Sequence, residues 1–202
     1  GCDLNRYLYS AFGIHLTIND TMKFEFILNE QDYLNSSLFT ASKSAVIKKR
    51  RLGSRLIIPI VYIGLGIWFW DDYNHISTIL FVLFAILWFL FSPIITRRRY
   101  VRYYKSAIKE AYSQRLGRTL SLEIQNDVLA FTEGPNESRF QASDIDVINE
   151  IPDLILIRIK SSNCIILPKE RINNLDELKR QLKQLAERMK VNYNEELEWK
   201  WR

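Results

Sequence analysis

The stretch from Trp68 to Phe81, WFWDDYNHISTILF, sets Asp71, Asp72 and His75 between two apolar runs. Two carboxylates and an imidazole are donor types that hold divalent metals. Adjacent carboxylates with one histidine on a turn make poor ligand geometry, however. The same residues suit a polar connection between antiparallel helices, and that is the reading adopted. The only histidines are His15 and His75, and neither pairs by position with a Ser or Cys nucleophile. Neither GxGxxG nor GxxxxGK occurs, so no nucleotide cradle is predicted. Cys2 and Cys164 lack CxxC spacing and predict neither a disulfide framework nor a zinc site. Cys164 reads as a small apolar residue in a strand. Asp144/Asp146 and Glu195/Glu196 read as solvated edges. No catalytic, metal-binding or cofactor-binding residue is assigned, and the chain is read as non-enzymatic.

Charge is the next informative feature. The 202 residues carry 28 Lys and Arg against 23 Asp and Glu, a net +5. Six of those cations, Lys43, Lys48, Lys49, Arg50, Arg51 and Arg55, form one acid-free segment, and five more, Arg97, Arg98, Arg99, Arg102 and Lys105, form a second. Without these eleven, 17 basic residues face 23 acidic ones, so the remainder is acidic by about six charges. A nucleic-acid binder spreads cations over a folded face. Two collars beside apolar runs indicate membrane topology instead, and no nucleic-acid partner is expected.

The apolar runs are Leu56–Trp70, fifteen uncharged residues, and Ile76–Ile95, twenty. About 20 residues span a bilayer core as a helix. The second run is apolar all round, unlike a soluble amphipathic helix. In the first, Arg55 snorkels at one end and the Trp68–Trp70 cluster sits in the interface. A two-helix transmembrane hairpin over residues 52–96 is therefore predicted. The positive-inside rule puts both collars and both termini in the cytoplasm of a plasma-membrane protein. Neither span holds Asp, Glu, Lys, Arg or His, which argues against a transporter acting alone. Gly64 and Gly66, with Ala85 opposite, are the candidate helix–helix contacts. Pro59 and Pro93 are expected to kink the spans.

Upstream, Met22–Leu28 alternates as a strand, and Asn29 with Asp32 resembles an N-cap with an acid in the first turn. The helix this starts is expected to run toward Lys48, completing a cytoplasmic strand and helix over 22–51. Downstream, Tyr100, Tyr104, Ile108 and Tyr112 keep helical spacing, a stalk over 97–118 that Gly117 terminates. From Thr119 six short strands follow: Thr119–Ile124, Val128–Glu133, Ser138–Ala142, Asp144–Ile151, Leu154–Lys160 and Cys164–Pro168. They predict an antiparallel β-meander. An amphipathic helix with Leu175, Leu178, Leu182, Leu185 and Met189 follows, opened by a capping box of Asn174 and Glu177, to plug the sheet. The fold class is α+β, a transmembrane hairpin plus the meander and helix of 119–190. The tail, 191–202, alternates Trp199 and Trp201 with Lys200 and Arg202, which suits a membrane interface, but a disordered end is the expectation preferred.

An antiparallel meander closed by one amphipathic helix is the layout of a pleckstrin-homology-like (PH-like) domain. A leading strand and helix, a hairpin, then the meander with CIILPKERI (Cys164–Ile172) before the last helix, resembles the YcxB-like family of small bacterial membrane proteins. The resemblance runs from Met22 to about Lys190. It implies a PH-like cytoplasmic domain split by a membrane hairpin, with no catalytic residues to carry over. Residues 1–21 fall outside it and are expected to be an extension upstream of a natural start at Met22.

The function expected is that of a membrane-anchored interaction module. It would bind a protein partner, a second copy of itself, or an anionic inner-leaflet lipid, with an open sheet edge able to accept a strand. The candidate lipid contacts are Lys48, Lys49, Arg50, Arg51, Arg97, Arg98 and Arg99. The alternative is an accessory subunit that touches a transporter or membrane enzyme through Gly64 and Gly66.

Overall fold

The computed structural model describes residues 22–70, 75–112, 116–125, 127–161 and 163–201. The 1–21 extension and the Asp71–Asn74 part of the turn lie outside them.

The chain opens with strand β1 (Met22–Ile27), whose Phe24 and Phe26 point inward while Lys23 and Glu25 face out. Helix α1 (Glu30–Lys43) starts in a full capping box. Asp32 N–H donates to Asn29 Oδ1 at 2.9 Å and Asn29 N–H donates to Asp32 Oδ2 at 2.8 Å. Two otherwise orphaned donors are thereby satisfied. The helix does not continue to Lys48 as its periodicity suggests. Ser44 adopts an extended ψ of 119° and its hydroxyl caps a new helix at Ile47 N–H. A serine that ends one helix and caps the next lets the chain change course, a choice that side-chain periodicity does not register.

Helices α2 (Ala45–Trp68) and α3 (Ile76–Tyr112) form an antiparallel hairpin. At about 1.5 Å per residue they are about 36 and 55 Å long. Both are long and apolar enough to cross a membrane, and only 11% and 17% of their apolar windows are buried inside the protein. A core helix of a soluble domain would be mostly buried. Both helices run unbroken through Pro59 and Pro93. Their seam is made of small residues: Thr78, Ala85 and Ser92, seven apart on α3, are buried, as are Pro59 and Gly66 on α2. Small side chains such as these let two helix backbones approach closely. Thr78 Oγ1 donates to the Gly66 carbonyl at 3.1 Å, and Tyr62 stacks on Phe81 and Phe84.

The strands form two sheets around one core. β1 joins β2 (Thr119–Gln125), β3 (Val128–Glu133) and β4 (Asn136–Gln141) in the order β1-β2-β3-β4, all antiparallel. The predicted meander is therefore divided: a turn of 3-10 helix at Ala142–Asp144 carries the chain into a second sheet. That sheet has the order β7-β6-β5-β8, from β5 (Ile145–Glu150), β6 (Leu154–Ile159), β7 (Cys164–Pro168) and β8 (Asn192–Glu195). Helix α4 (Leu175–Met189) buries Leu178, Leu182, Leu185 and Ala186 in the shared core. β6 is buried at Leu154, Ile155, Leu156 and Ile157, on both faces. Its sheet lies between α1, whose Phe39 shares a cleft with Leu156, and α4, whose Lys179 reaches Glu150.

Two sequence expectations fail here. Asn174 sits in the left-handed region (φ 59°) with no side-chain cap, and Glu177 instead accepts from Arg180 and Gln181. A left-handed Asn turns its amide away from the helix start, so the predicted capping box does not form. The tail is ordered rather than loose. Lys190, also left-handed (φ 54°), turns the chain out of α4, and β8 pairs parallel to β5 from Val147↔Asn192 to Glu150↔Glu195. The edge of β5, which the meander leaves open, is thus filled by the chain itself. NYNE has no apolar alternation, so its strand is specified by backbone pairing and by Asn194 Nδ2 donating to Asn149 Oδ1 at 3.1 Å.

Candidate functional site

The tail continues past β8 and fastens the hairpin to the sheets. Trp199 packs edge-on to Phe39 (5.4 Å between centroids) and its Nε1 donates to Ser42 Oγ at 3.2 Å. Lys43 pairs with Glu196 at 2.6 Å. Trp201 is 7% exposed and joins Leu34, Leu38 and Ala41 of α1 with Ile108 of α3 in a second small core. Tyr33 and Trp199 border both cores. The α3 stalk is therefore clamped between α1 and the last residues of the chain. Neither tryptophan is left to lie on a membrane surface.

Where this clamp meets the apolar helices, the basic residues gather. Lys48, Lys49 and Arg50 are exposed on α2, and Arg97, Arg98 and Arg99 are exposed on α3. Arg51 is half-buried, its guanidinium 4.9 Å from the Trp201 ring centroid. Arg55, which the collar includes but the lipid-contact candidates omit, lies 4.2 Å from the Phe89 ring. Both are cation–π distances. A cleft of about 230 Å³ opens between the helices here, lined by Lys48, Arg51, Leu52 and Arg55 of α2 and by Ser92, Pro93 and Thr96 of α3. The structure divides the seven sequence candidates: Lys48 and Arg51 line this cleft, while Lys49, Arg50 and Arg97–Arg99 do not. Arg55, Ser92 and Thr96 are the residues missed. The signal was present in the spacing, since Lys48, Arg51 and Arg55 stand at i, i+3 and i+7 on one helical face. What was not readable is which residues of α3 come opposite.

The three candidate helix contacts also separate. Gly66 is buried against α3, where an added Cβ would lie 3.4 Å from Phe81 Cβ and 3.7 Å from Thr78. Ala85 is 3% exposed in the same seam. Gly64 faces open space, with nothing within 4 Å of an added Cβ. Gly66 is thus occupied inside the hairpin, and Gly64 is the glycine that remains open to a partner. At the far end, His75 packs 5.1 Å from Trp70, while Asp71 and Asp72 lie outside the described residues.

The other concentration of charge is in the sheet domain. Glu150 is buried and receives Lys169 Nζ at 2.7 Å, Lys179 Nζ at 2.8 Å and the Tyr193 hydroxyl at 2.7 Å. Burial pushes its carboxyl up, but the hydrogen bonds from Lys169, Lys179 and Tyr193 outweigh that and hold it at about 2. Burial, followed by Glu150 itself, pushes the Tyr193 phenol far above its ordinary value. Lys169 belongs to the ILPKER turn, and so does Arg171, which donates Nε to the Ile27 carbonyl at 2.9 Å and pairs with buried Asp32. The turn that carries the resemblance is a clamp: one cation reaches β5, the other β1 and the α1 cap. A fully bonded carboxylate with no open approach is a structural hub rather than an acid or base.

A groove of about 850 Å³ runs between α1, the stalk and the first sheet, lined in part by Tyr33, Tyr104, Tyr112 and Phe131. It offers aromatic surface and hydroxyls, without a cluster of charge. In comparisons with known proteins, no family model, no curated protein and no solved structure matches this chain.

Proposed function

We propose that this protein is a membrane-anchored, non-enzymatic interaction module. The α2–α3 hairpin crosses a bacterial plasma membrane, both termini are cytoplasmic, and a PH-like domain is held against the inner leaflet. The element order supports the PH-like reading: four strands in one sheet, three consecutive strands in the next, then one packed helix. The hairpin is inserted between β1 and β2, and β8 is an addition after the helix. The observation that carries the functional reading is the junction itself. Basic side chains of α2 and α3 collect where the exposed apolar helices meet the sheet domain, while the rest of the chain is acidic. Anionic lipid attracts such residues by about 1 kcal/mol each, and the Trp201 clamp holds the domain at that surface.

The test is reconstitution into nanodiscs of phosphatidylcholine alone or with 30% phosphatidylglycerol. The anionic discs are expected to raise the unfolding midpoint and to lose that advantage at high salt. Equal midpoints would remove the lipid-facing role. Sidedness is read separately by protease cleavage of a C-terminal tag, expected in inverted vesicles and not in intact cells.

A second reading rests on Gly64. Its open position on the outer face of α2 suits close approach by another membrane helix, which would make the protein an accessory subunit of a transporter or membrane enzyme. Gly64→Leu would then abolish co-purification of a stoichiometric partner from gently solubilised membranes. An unchanged complex, or recovery of the chain alone, counts against it.

A further inference from the structure

We infer that the cleft between α2 and α3 is a built site for one phosphate group, carried by an anionic phospholipid of the inner leaflet. The inference deepens the lipid-facing reading above and rests on it, because a phospholipid reaches the cleft only if the helices cross a bilayer.

The cleft is lined by donors. Lys48, Arg51 and Arg55 supply positive charge from one face of α2, Ser92 and Thr96 supply hydroxyls from α3, and among the described residues no carboxylate lines the cleft. Two of these groups are left wanting. Ser92 is 4% exposed and its hydroxyl has no hydrogen-bond partner. The Arg55 Nε is also buried without one. A buried polar group with no partner is costly, so a molecule tends not to keep two in one cleft without compensation. Both can donate, and a ligand that satisfies both presents acceptor oxygens. A phosphate does so while neutralising the surrounding cations, and Arg suits it through bidentate geometry.

The depth fits a headgroup. Arg55 immediately precedes the first apolar run and Thr96 immediately follows the second. The cleft therefore stands at the end of the apolar length on both helices, where acyl chains give way to phosphates. The exposed aliphatic surface below it, including Leu56, Ile57 and Ile95, can take the acyl chains. The cations are also held before any ligand arrives: Arg51 by the Trp201 ring and Arg55 by Phe89. Preorganised side chains lose less freedom on binding. Lys49, Arg50 and Arg97–Arg99 have no such enclosure. They contribute diffuse attraction, whereas the cleft selects one phosphate.

The experiment is native mass spectrometry of the full chain after exchange into neutral detergent, with phosphatidylglycerol added back in titration. Wild type is expected to retain one phosphatidylglycerol per chain. Arg55→Gln combined with Ser92→Ala is expected to weaken retention at least tenfold, and Ser92→Ala alone by a smaller factor. Arg97→Gln, Arg98→Gln and Arg99→Gln together are expected to leave the single bound lipid in place. Folding of each variant is checked by its melting midpoint in phosphatidylcholine nanodiscs, and Ser92→Ala serves alone should the double variant misfold. Equal retention by wild type and the Arg55/Ser92 variant overturns the cleft. If the α3 collar variant loses as much as the cleft variant, the diffuse lipid reading survives and the built site does not. No retention by any form, with equal midpoints in neutral and anionic nanodiscs, removes both. An arm with inorganic phosphate separates the sources: displacement of the lipid by millimolar free phosphate would overturn the phospholipid assignment.

Discussion

Replacing Glu150 by Gln removes the charge on which Lys169, Lys179 and Tyr193 converge, and the structure sets the size of the effect. The Glu150 side chain is 3% exposed, Lys169 is 11% exposed and Lys179 is 28% exposed. The carboxyl titrates at about 2 in the fold against an ordinary 4.5. At about 1.4 kcal/mol per pH unit, that difference is worth about 3 kcal/mol of stability. The sign follows from proton binding. Between those two values the unfolded chain holds the proton and the folded chain does not. The contribution is therefore fully present above about pH 4.5 and is lost as pH falls toward 2. Gln keeps the volume but leaves the Lys169 ammonium enclosed without its counter-charge. The expected result at pH 7 is a loss of about 3 kcal/mol, a fall of roughly 6–12 °C in midpoint for a chain of this size. The assay is urea unfolding in detergent micelles, followed by tryptophan fluorescence, for wild type and variant from pH 7 to pH 3. The gap between the two is expected to narrow steadily below pH 4.5. A gap of the same size at every pH would refute the reasoning, because the hub would then act by packing and not by charge.

Trp201→Ala empties the small core shared by α1 and the stalk and is expected to cost about 3 kcal/mol, the low end for a buried aromatic; hydrogen exchange of the α1 amides and of the stalk around Ile108 should rise, and unchanged protection would show that the tail clamps nothing. Gly66→Leu sets a Cβ in contact with Phe81 at 3.4 Å, leaving its three further carbons to be taken up by a packed seam, and is expected to lower stability by about 1–3 kcal/mol. Gly64→Leu, facing open space, should leave the melting midpoint of the isolated chain in detergent where it was, and a matching loss would contradict the seam described. Asp32→Ala removes both the α1 cap and the Arg171 partner and is expected to cost about 2 kcal/mol or more, measured as a shift in urea midpoint, with Asn29→Ala losing only the capping share.

The ordered tail bears on how such a module would work. A hairpin whose stalk is gripped by α1 and Trp201 is held in a fixed relation to the sheet domain, as the proposed anchoring at a membrane requires. Arg51 lies in both the cleft and the clamp, so the two share a side chain.

The hairpin, the strand periods and the α1 cap were legible from local residues alone. An uncharged run of about 20 residues is long enough as a helix to cross a bilayer whatever the rest of the chain does, and alternation such as that of β2 marks a half-buried strand without reference to its partner. The two collars were legible for the same reason, as composition beside a span. What tertiary structure decided is everything that depends on which element comes opposite. Glu150 looks like any strand carboxylate until the ILPKER turn, α4 and β8 bring it two ammonium groups and a phenol. Ser92 looks like a tolerated polar residue in an apolar helix until α2 brings Arg55 into the same cleft. The tail reads as polar and loose because its strand is held by backbone pairing to β5, and its tryptophans are anchored by a core that α1 and α3 create only by packing. Apolar length and period are written along the chain. The partner of a charge, a donor or an aromatic ring is fixed only when distant segments pack and exclude water.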